Sequence, residues 1–168
     1  EEFKELFAGK ATLAQVKRKV KAREYEAKGA PPLPKGEYDI ILADPPWKYD
    51  FAHDDGRAVE KNYPTMTQDE LKRLCIPAAE NSALFLWATA PKLREALAVM
   101  SAWGFEYKTC AVWDKEKIGM GYWFRGQHEL LLVGSKGDFR PPAETRRASS
   151  VIREKRTEHS RKPGAAYE

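Results

Sequence analysis

The sequence of 168 residues contains only two cysteines and three histidines, and this scarcity argues against several kinds of site. Cys75 and Cys110 lie far apart, and neither belongs to a C-x-x-C pair. This spacing argues against both a disulfide scaffold and a zinc site. His53, Asp54 and Asp55 are adjacent, but three neighbouring polar residues of this kind usually form a solvated loop. We therefore expect no metal cofactor.

Long apolar runs are also missing from the chain. No stretch approaches the roughly twenty apolar residues of a membrane-spanning helix, and no signal-peptide pattern is present. We predict a soluble cytoplasmic protein that does not contact a membrane. Apolar residues make up 42% of the chain and aromatic residues 11%, enough to bury one sizeable core.

Positive charge is concentrated in two parts of the chain, although the net charge is only +4. The N-terminal cluster is Lys17, Arg18, Lys19, Lys21 and Arg23; the C-terminal cluster is Arg146, Arg147, Arg153, Lys155, Arg156, Arg161 and Lys162. Such clusters can follow a phosphate backbone and give salt-dependent affinity, but most charge runs are simply solvated surface. Both interpretations remain open for the N-terminal cluster, whereas for the C-terminal cluster we favour nucleic acid.

The most informative segment is Asp44-Pro45-Pro46-Trp47, which follows the apolar run at residues 38–43. The run is short, β-branched in its middle and bounded by Gly36 and the prolines, which predicts a buried strand. Pro45 and Pro46 lack backbone donors and have a fixed φ, so they end the strand with the Asp44 carboxylate pointing outward. In open α/β sheets, ligands bind at this edge.

These residues suit the methylation of an exocyclic amine. The lone pair of an adenine or cytosine NH2 is delocalised into the ring, so the amine must be oriented before it can attack a methyl group. The Asp44 carboxylate and the Pro45 carbonyl can accept the two N–H bonds, and Trp47 offers a face on which an extruded base could stack. The alternative is a strand-end turn with a packed indole.

Several segments, in the same order along the chain, resemble the MT-A70 family of S-adenosylmethionine-dependent adenine N6-methyltransferases, particularly its compact bacterial and phage members. The resemblance covers residues 37–168. The matching segments are Asp44-Pro45-Pro46-Trp47, Asn62-Tyr63-Pro64-Thr65-Met66 with Leu71, Leu84-Phe85-Leu86-Trp87-Ala88-Thr89, Gly121-Tyr122-Trp123, Glu129-Leu130-Leu131-Leu132-Val133-Gly134 and His159-Ser160-Arg161-Lys162-Pro163.

The resemblance implies a Rossmann-like methyltransferase fold and roles for individual residues. It implies catalytic roles for Asp44, Pro45, Pro46 and Trp47, cofactor binding by Asp44, Pro45, Ser160 and Lys162, and substrate binding by Trp47, Tyr63, Glu129 and Lys162. To the substrate-binding residues we add Trp123, because it lies in a glycine-containing loop with Tyr122 and Phe124, where aromatic rings can stack on bases or simply pack in a core. Arg161 stands where relatives often have histidine, which leaves its role open.

The resemblance favours DNA over RNA, by analogy with the compact bacterial and phage members. It thus implies a protein of a bacterial cell or a phage-infected host. It is also compatible with a homodimer or a heterodimer, since relatives pair catalytic and non-catalytic subunits. Two alternatives stay open: a non-catalytic nucleic-acid-binding subunit of a methyltransferase assembly, and a cytosine N4-methyltransferase.

Three regions are predicted along the chain: a basic helical segment at residues 1–29, a proline-rich linker at 30–36 and a catalytic domain at 37–168. In the family, the helix opened by the Lys-Pro motif is followed by a further strand that grips the cofactor. The last such strand is missing before Glu168, so we expect weak or absent cofactor binding if the polypeptide ends there.

Proline, glycine and capping residues mark the ends of helices and strands, and their positions predict the remaining elements. One helix is predicted from residue 67, where Thr67-Gln68-Asp69-Glu70 has the capping-box pattern, towards Pro77, and a second over 91–103, which Gly104 ends. Strands are predicted over 82–89, 109–113, 129–133 and 150–153. Alternating strands and helices predict an α/β fold with a mostly parallel sheet covered on both faces. Long loops at 48–62, 115–127 and 135–149 are expected to be functional or mobile, and we predict that the first two close over the extruded base.

Overall fold

The computed structural model describes residues 4, 7–9, 12–13, 16–17, 20, 32–49, 65–119, 121, 123–157 and 161–167. The chain divides into two compact units, one formed by Glu1–Pro34 with Pro45–Leu71 and the other by Lys35–Asp44 with Lys72–Glu168. Most of the predicted N-terminal helical segment and most of the predicted loop at 48–62 lie outside the described residues.

Helix α1, Gln68–Lys72, begins with the capping box that the sequence predicted. The Thr67 N–H donates to Glu70 Oε2 at 2.7 Å, and the Glu70 N–H donates to Thr67 Oγ1 at 3.3 Å, so each residue satisfies the other's backbone donor. The helix ends at Lys72, well before Pro77, and strand β2 starts immediately after that proline.

The second unit contains a five-stranded sheet with the order β1-β2-β4-β3-β5. The strands are β1, Tyr38–Ala43; β2, Ala78–Ala88; β3, Glu106–Asp114; β4, His128–Lys136; and β5, Val151–Arg153. Each predicted strand is confirmed, and most extend beyond the predicted bounds. The prediction that β1 is buried is wrong, since Tyr38, Ile40 and Leu42 are exposed in this strand at the edge of the sheet. Pairs β1/β2 and β3/β5 are parallel, whereas β2/β4 and β3/β4 are antiparallel.

The prediction of a mostly parallel sheet is wrong for this mixed sheet, since two of its four strand pairs are antiparallel. The connection from β3 to β4 contains no crossover helix in its described residues, 115–119, 121 and 123–127. The Lys115 N–H donates to the Gln127 carbonyl at 2.9 Å, which closes this connection like a hairpin and makes the two strands antiparallel. The molecule is thus mixed α/β.

Helix α2, Leu93–Ala102, packs against β2 and β3 through Ala96, Val99 and Met100. A 3-10 turn, Ala90–Lys92, forms its first turn around Pro91, and Gly104 ends it with a φ of +85°. The predicted helix over residues 91–103 is therefore confirmed, except that its first turn is wound more tightly.

The strand registers bring four carboxyl ends, those of β1, β2, β3 and β5, and the amino end of β4 to the same edge of the sheet. Ala43 of β1 pairs with Leu86 of β2. The next residue of the chain, Asp44, therefore lies at the level of Trp87. Across the antiparallel pairs, Trp87 lies opposite Leu131 and Trp113 lies opposite Glu129. The buried cluster of Trp87, Trp113 and Leu131 therefore forms the core directly beneath this edge.

The turn after β4 depends on a glycine, which gives a prediction about stability. Gly137 has a φ of +63°, and a Cβ added there would meet Asn81 Oδ1 and come within 2.5 Å of the Glu80 carbonyl. Gly137→Ala is therefore expected to lower the free energy of unfolding by about 1–3 kcal/mol, as measured by urea denaturation. Gly164→Ala is the control, because its Cβ would meet no atom closer than 3.8 Å; equal losses in the two variants would contradict the prediction.

Candidate active site

Three charged side chains from distant parts of the chain meet at this edge of the sheet. The Lys162 ammonium lies 3.1 Å from Asp44 Oδ1 and 2.8 Å from Glu129 Oε2, so it bridges two carboxylates. Asp44 follows the end of β1 and Glu129 is the second residue of β4. The structure thus brings together three residues that the sequence had predicted separately as site residues.

A second lysine completes the cluster and rests on the aromatic core. Lys115 Nζ lies 3.2 Å from Glu129 Oε1 and 6.0 Å from the centre of the Trp113 ring. Lys162 Nζ lies 5.2 Å from the centre of the Trp87 ring, and the two indoles meet edge to face at 6.0 Å. Because the face of an indole attracts cations, the tryptophans help to hold both ammonium groups at the carboxylates.

The three groups differ in their access to solvent. Lys162 and Glu129 have side chains 12% and 17% exposed, whereas the Asp44 side chain is 44% exposed. Asp44 is therefore the member of the cluster that an incoming reactant can reach, and the two more buried groups form its support.

Burial and ion pairing set the protonation of the cluster. Desolvation raises the pKa of Asp44 above its ordinary value even though part of the side chain faces solvent, and the Lys162 ammonium only partly offsets this. Burial also opposes the ionisation of Glu129, but Lys162 and Lys115 together hold its pKa below its ordinary value. Burial disfavours the Lys162 ammonium, yet Asp44 and Glu129 raise its pKa. At neutral pH, Glu129 is ionised and Lys162 is protonated.

Residues 45–49 and 65–71 belong to the other unit. The Trp47 N–H donates to the Pro45 carbonyl at 2.9 Å, and Met66 N–H donates to the Pro46 carbonyl at 2.8 Å. These bonds fix the two prolines after Asp44, and the Pro45 carbonyl keeps a second lone pair for another donor. Trp47 is 6% exposed, so its indole is packed in this structure and offers little free surface for a stacked base.

The connection between β3 and β4 carries two exposed aromatic side chains. Trp123 is 95% exposed and Phe124 is 89% exposed. The Gly119 N–H donates to the Gly126 carbonyl at 2.7 Å, and Arg125 Nε donates to the Gly119 carbonyl at 3.2 Å. These contacts brace the loop, and the exposure of Trp123 and Phe124 shows that their side chains do not pack into the core described above.

Two predicted site residues, Tyr63 and Ser160, lie outside the described residues. Conversely, the sequence did not single out Lys115, although one signal was present. It directly follows β3, and in open α/β sheets ligands bind at the carboxyl ends of the strands.

Neither a metal site nor a membrane-spanning helix is found among the described residues. In the parts of the chain that the structure describes, no three His, Cys, Asp or Glu residues are grouped so as to hold a metal ion. No helix among the described residues is long and apolar enough to span a bilayer.

Sequence comparison places the chain that forms this sheet edge and its charged cluster in a methyltransferase family. The family model MT-A70 matches residues 38–168. The chain belongs to the MT-A70 family, which confirms the resemblance inferred from its motifs.

The relatives include bacterial and eukaryotic proteins. The chain is 34% identical to the type II methyltransferase M.MunI from Mycoplasma sp, over 82% of this chain and 68% of the relative. It is 30% identical to a putative N(6)-adenosine-methyltransferase MT-A70-like protein of Medicago truncatula, over 79% of this chain and 21% of that protein. It is 31% identical to the human N(6)-adenosine-methyltransferase catalytic subunit METTL3, over 61% of this chain and 18% of that protein. The chain thus spans about a fifth of the two eukaryotic relatives.

Proposed function

We propose that this protein transfers a methyl group from S-adenosylmethionine to the N6 amine of adenine in nucleic acid, with DNA preferred over RNA. The observation that carries the proposal is the Asp44 carboxylate, which is partly open to solvent and paired with Lys162 at the carboxyl end of β1. The names of the eukaryotic relatives, which specify N6 of adenosine, support the choice of acceptor. Similarity to most of the bacterial M.MunI supports a compact bacterial type of enzyme and hence DNA.

In the proposed reaction, the amine of adenine donates its two N–H bonds to Asp44 and to the Pro45 carbonyl. This arrangement directs the nitrogen lone pair away from the acceptors, towards the methyl group. The new N–C bond forms as the S–C bond breaks, and the amine proton leaves through the Asp44 carboxylate to solvent. Catalysis by acceptors that are held in place before the reaction needs little reorganisation, and Lys162 holds the Asp44 carboxylate in this way.

The charged cluster also fits the amino-acid part of S-adenosylmethionine, which carries one ammonium and one carboxylate. Asp44 can accept from that ammonium, and Lys162 can pair with that carboxylate. Because the Asp44 Oδ1 and Lys162 Nζ atoms are 3.1 Å apart, both side chains can contact the same amino-acid group. Pro45 and Ser160 are the other residues that we assign to the cofactor. When bound, the cofactor supplies an electrophilic methyl group on a sulfonium. We also propose a Rossmann-like methyltransferase fold for the sheet, because the chain belongs to the MT-A70 family.

Nucleic-acid binding is assigned to two surfaces of the second unit. The exposed Trp123 and Phe124 form an aromatic tip suited to stacking on bases. Exposed arginines after β4, including Arg140, Arg146 and Arg147, can contact phosphates. Glu129 and Lys162 complete the residues of this unit that we assign to the acceptor.

The aromatic tip gives a second prediction. Trp123→Ala is expected to weaken oligonucleotide binding by about 1–3 kcal/mol, the usual contribution of one stacked base, without loss of stability, because the side chain is almost fully exposed. The measurement is fluorescence anisotropy with a labelled adenine-containing oligonucleotide. Ile118→Ala, an exposed apolar residue of the same loop, serves as the control. Unchanged affinity in Trp123→Ala would remove this residue from the substrate site.

The proposed function is tested by incubating the protein with isotope-labelled S-adenosylmethionine and, separately, single- and double-stranded DNA and RNA. Label is expected in polymer, with more in DNA than in RNA. Binding of nucleic acid with no label in any polymer would contradict the proposal and favour the alternative, a non-catalytic subunit of a methyltransferase assembly.

A further inference from the structure

Glu154, the residue that follows β5, connects three segments around the charged cluster. Its N–H donates to the Asp114 carbonyl at 3.3 Å, and its carbonyl accepts from Trp113 Nε1 at 2.7 Å. Its carboxylate accepts from the Gly164 N–H at 2.9 Å and from the Ala165 N–H at 3.4 Å. Glu154 therefore connects the end of β3, through its backbone, to the segment that carries Lys162, through its carboxylate.

The segment at residues 161–167 cannot supply these acceptors locally. Its 3-10 turn, Gly164–Ala166, is preceded by Pro163, whose side chain has no hydrogen-bonding group to cap the turn. The first N–H groups of such a turn need partners, and a carboxylate that accepts two of them forms charge-assisted bonds. Glu154 takes the place of the missing cap from ten residues earlier in the chain.

The same segment is also held on its apolar side. Pro163 is fully buried, and Ala166 packs against the cluster of Trp87, Trp113 and Leu131. Hydrophobic contact is non-directional, so it holds the segment against the core without fixing how far it slides or rotates. The paired hydrogen bonds to Glu154 add the directional constraint.

We propose that Glu154 is a positioning residue for methyl transfer: its carboxylate fixes the backbone after Lys162 so that the Lys162 ammonium lies between Asp44 and Glu129. This inference deepens the proposed function and rests on it for the link to catalysis. Lysine has a flexible four-carbon stem, so a fixed backbone lowers the entropy cost of holding its ammonium at 3.1 Å and 2.8 Å from the two carboxylates.

The test measures the position of the lysine through the titration of its neighbour. Asp44 is the reporter, and the charged groups that face it are Lys162, which lowers its pKa, and Glu129, which raises it. In Glu154→Ala, NMR of carboxyl-labelled aspartates is expected to show an upward shift of the Asp44 pKa, since the ammonium is less well held. Glu154→Gln, which keeps one acceptor oxygen, should restore part of the wild-type value.

A double variant and a control separate positioning from general destabilisation. In a Lys162→Met background, Glu154→Ala should shift the Asp44 titration no further, because the group that Glu154 positions is gone. Glu144→Ala, which removes an exposed carboxylate from another 3-10 turn, should leave the titration unchanged. A wild-type Asp44 titration in folded Glu154→Ala, or in folded Glu154→Gln if the alanine variant does not fold, would overturn the proposal.

The link to catalysis is measured separately. If the proposed methyl transfer is observed, kcat in Glu154→Ala should fall roughly ten- to a hundredfold, as a misplaced reacting group allows, with partial rescue in Glu154→Gln. Unchanged kcat despite a shifted titration would refute the catalytic part. If the wild type transfers no methyl group, the proposed function fails, but the titration still decides whether Glu154 positions Lys162. Failure of the proposed function can therefore be distinguished from failure of the positioning role.

Discussion

Asp44→Asn is expected to reduce kcat for methyl transfer about 10²–10³-fold, the usual cost of removing one preorganised electrostatic group from an active site. An asparagine keeps the shape of the side chain but removes its charge, and its NH2 group can present donors to the amine that must be oriented. The fold should persist, because the side chain is partly exposed and Lys162 retains its bond to Glu129.

Steady-state kinetics with saturating cofactor and oligonucleotide measures this effect, and circular dichroism checks the fold. The matched control is Asp39→Asn, which changes an exposed aspartate of the same strand, β1, and should retain wild-type turnover. Near-normal turnover in Asp44→Asn would show that this carboxylate neither orients the amine nor accepts its hydrogen bonds.

Lys162→Met is expected to reduce both stability and activity, because it leaves two carboxylates facing each other without the cation that bridges them. Removing one member of a buried ion pair costs about 3–5 kcal/mol, and we expect about 3 kcal/mol here, since Lys115 still pairs with Glu129. Lys108→Met is the control: its pair with Glu106 is exposed, so its loss should be about 1 kcal/mol or less. Equal losses in the two variants would contradict the account.

The stability lost in Lys162→Met should depend on pH in a defined direction. The raised pKa of Lys162 means that its contribution is complete below the ordinary lysine pKa and is lost as pH rises through the folded-state value. The lowered pKa of Glu129 means that its contribution is present above the ordinary glutamate pKa and is lost as pH falls through the folded-state value. The difference between wild type and variant should therefore be largest in the neutral range.

The same variant should change the pH dependence of the reaction. Asp44 must be ionised to accept from the amine, and Lys162 lowers a pKa that burial raises. Without Lys162, the acidic limb of kcat/KM should move to higher pH. An acidic limb that stays in place would assign it to another group.

The sequence predicted the elements whose signals are local. The apolar run before Asp44, the capping box at Thr67 and the stop at Gly104 each specify a backbone conformation within a few residues, and the structure confirms all three. The resemblance to the MT-A70 family implied separate roles for Asp44, Glu129 and Lys162, and these three side chains lie together.

What the sequence did not reveal depends on contacts between distant segments. The antiparallel position of β4 follows from how residues 115–127 reverse the chain, and periodicity within a strand does not encode its partner's direction. The exposure of Trp123 and the burial of Trp47 likewise depend on tertiary packing, since both residue types occur in cores and at surfaces. The contact from Glu154 to Gly164 joins two segments that share no local motif.

The central claim is that the amine held at Asp44 belongs to adenine. After reaction with isotope-labelled S-adenosylmethionine, the nucleic acid is digested to nucleosides and the labelled product is identified by mass spectrometry, with Asp44→Asn in parallel. The account predicts label in N6-methyladenine nucleoside, predominantly in its deoxy form, and a severe loss of label in the variant. Label in N4-methylcytosine, or label that is unchanged in Asp44→Asn, would contradict it.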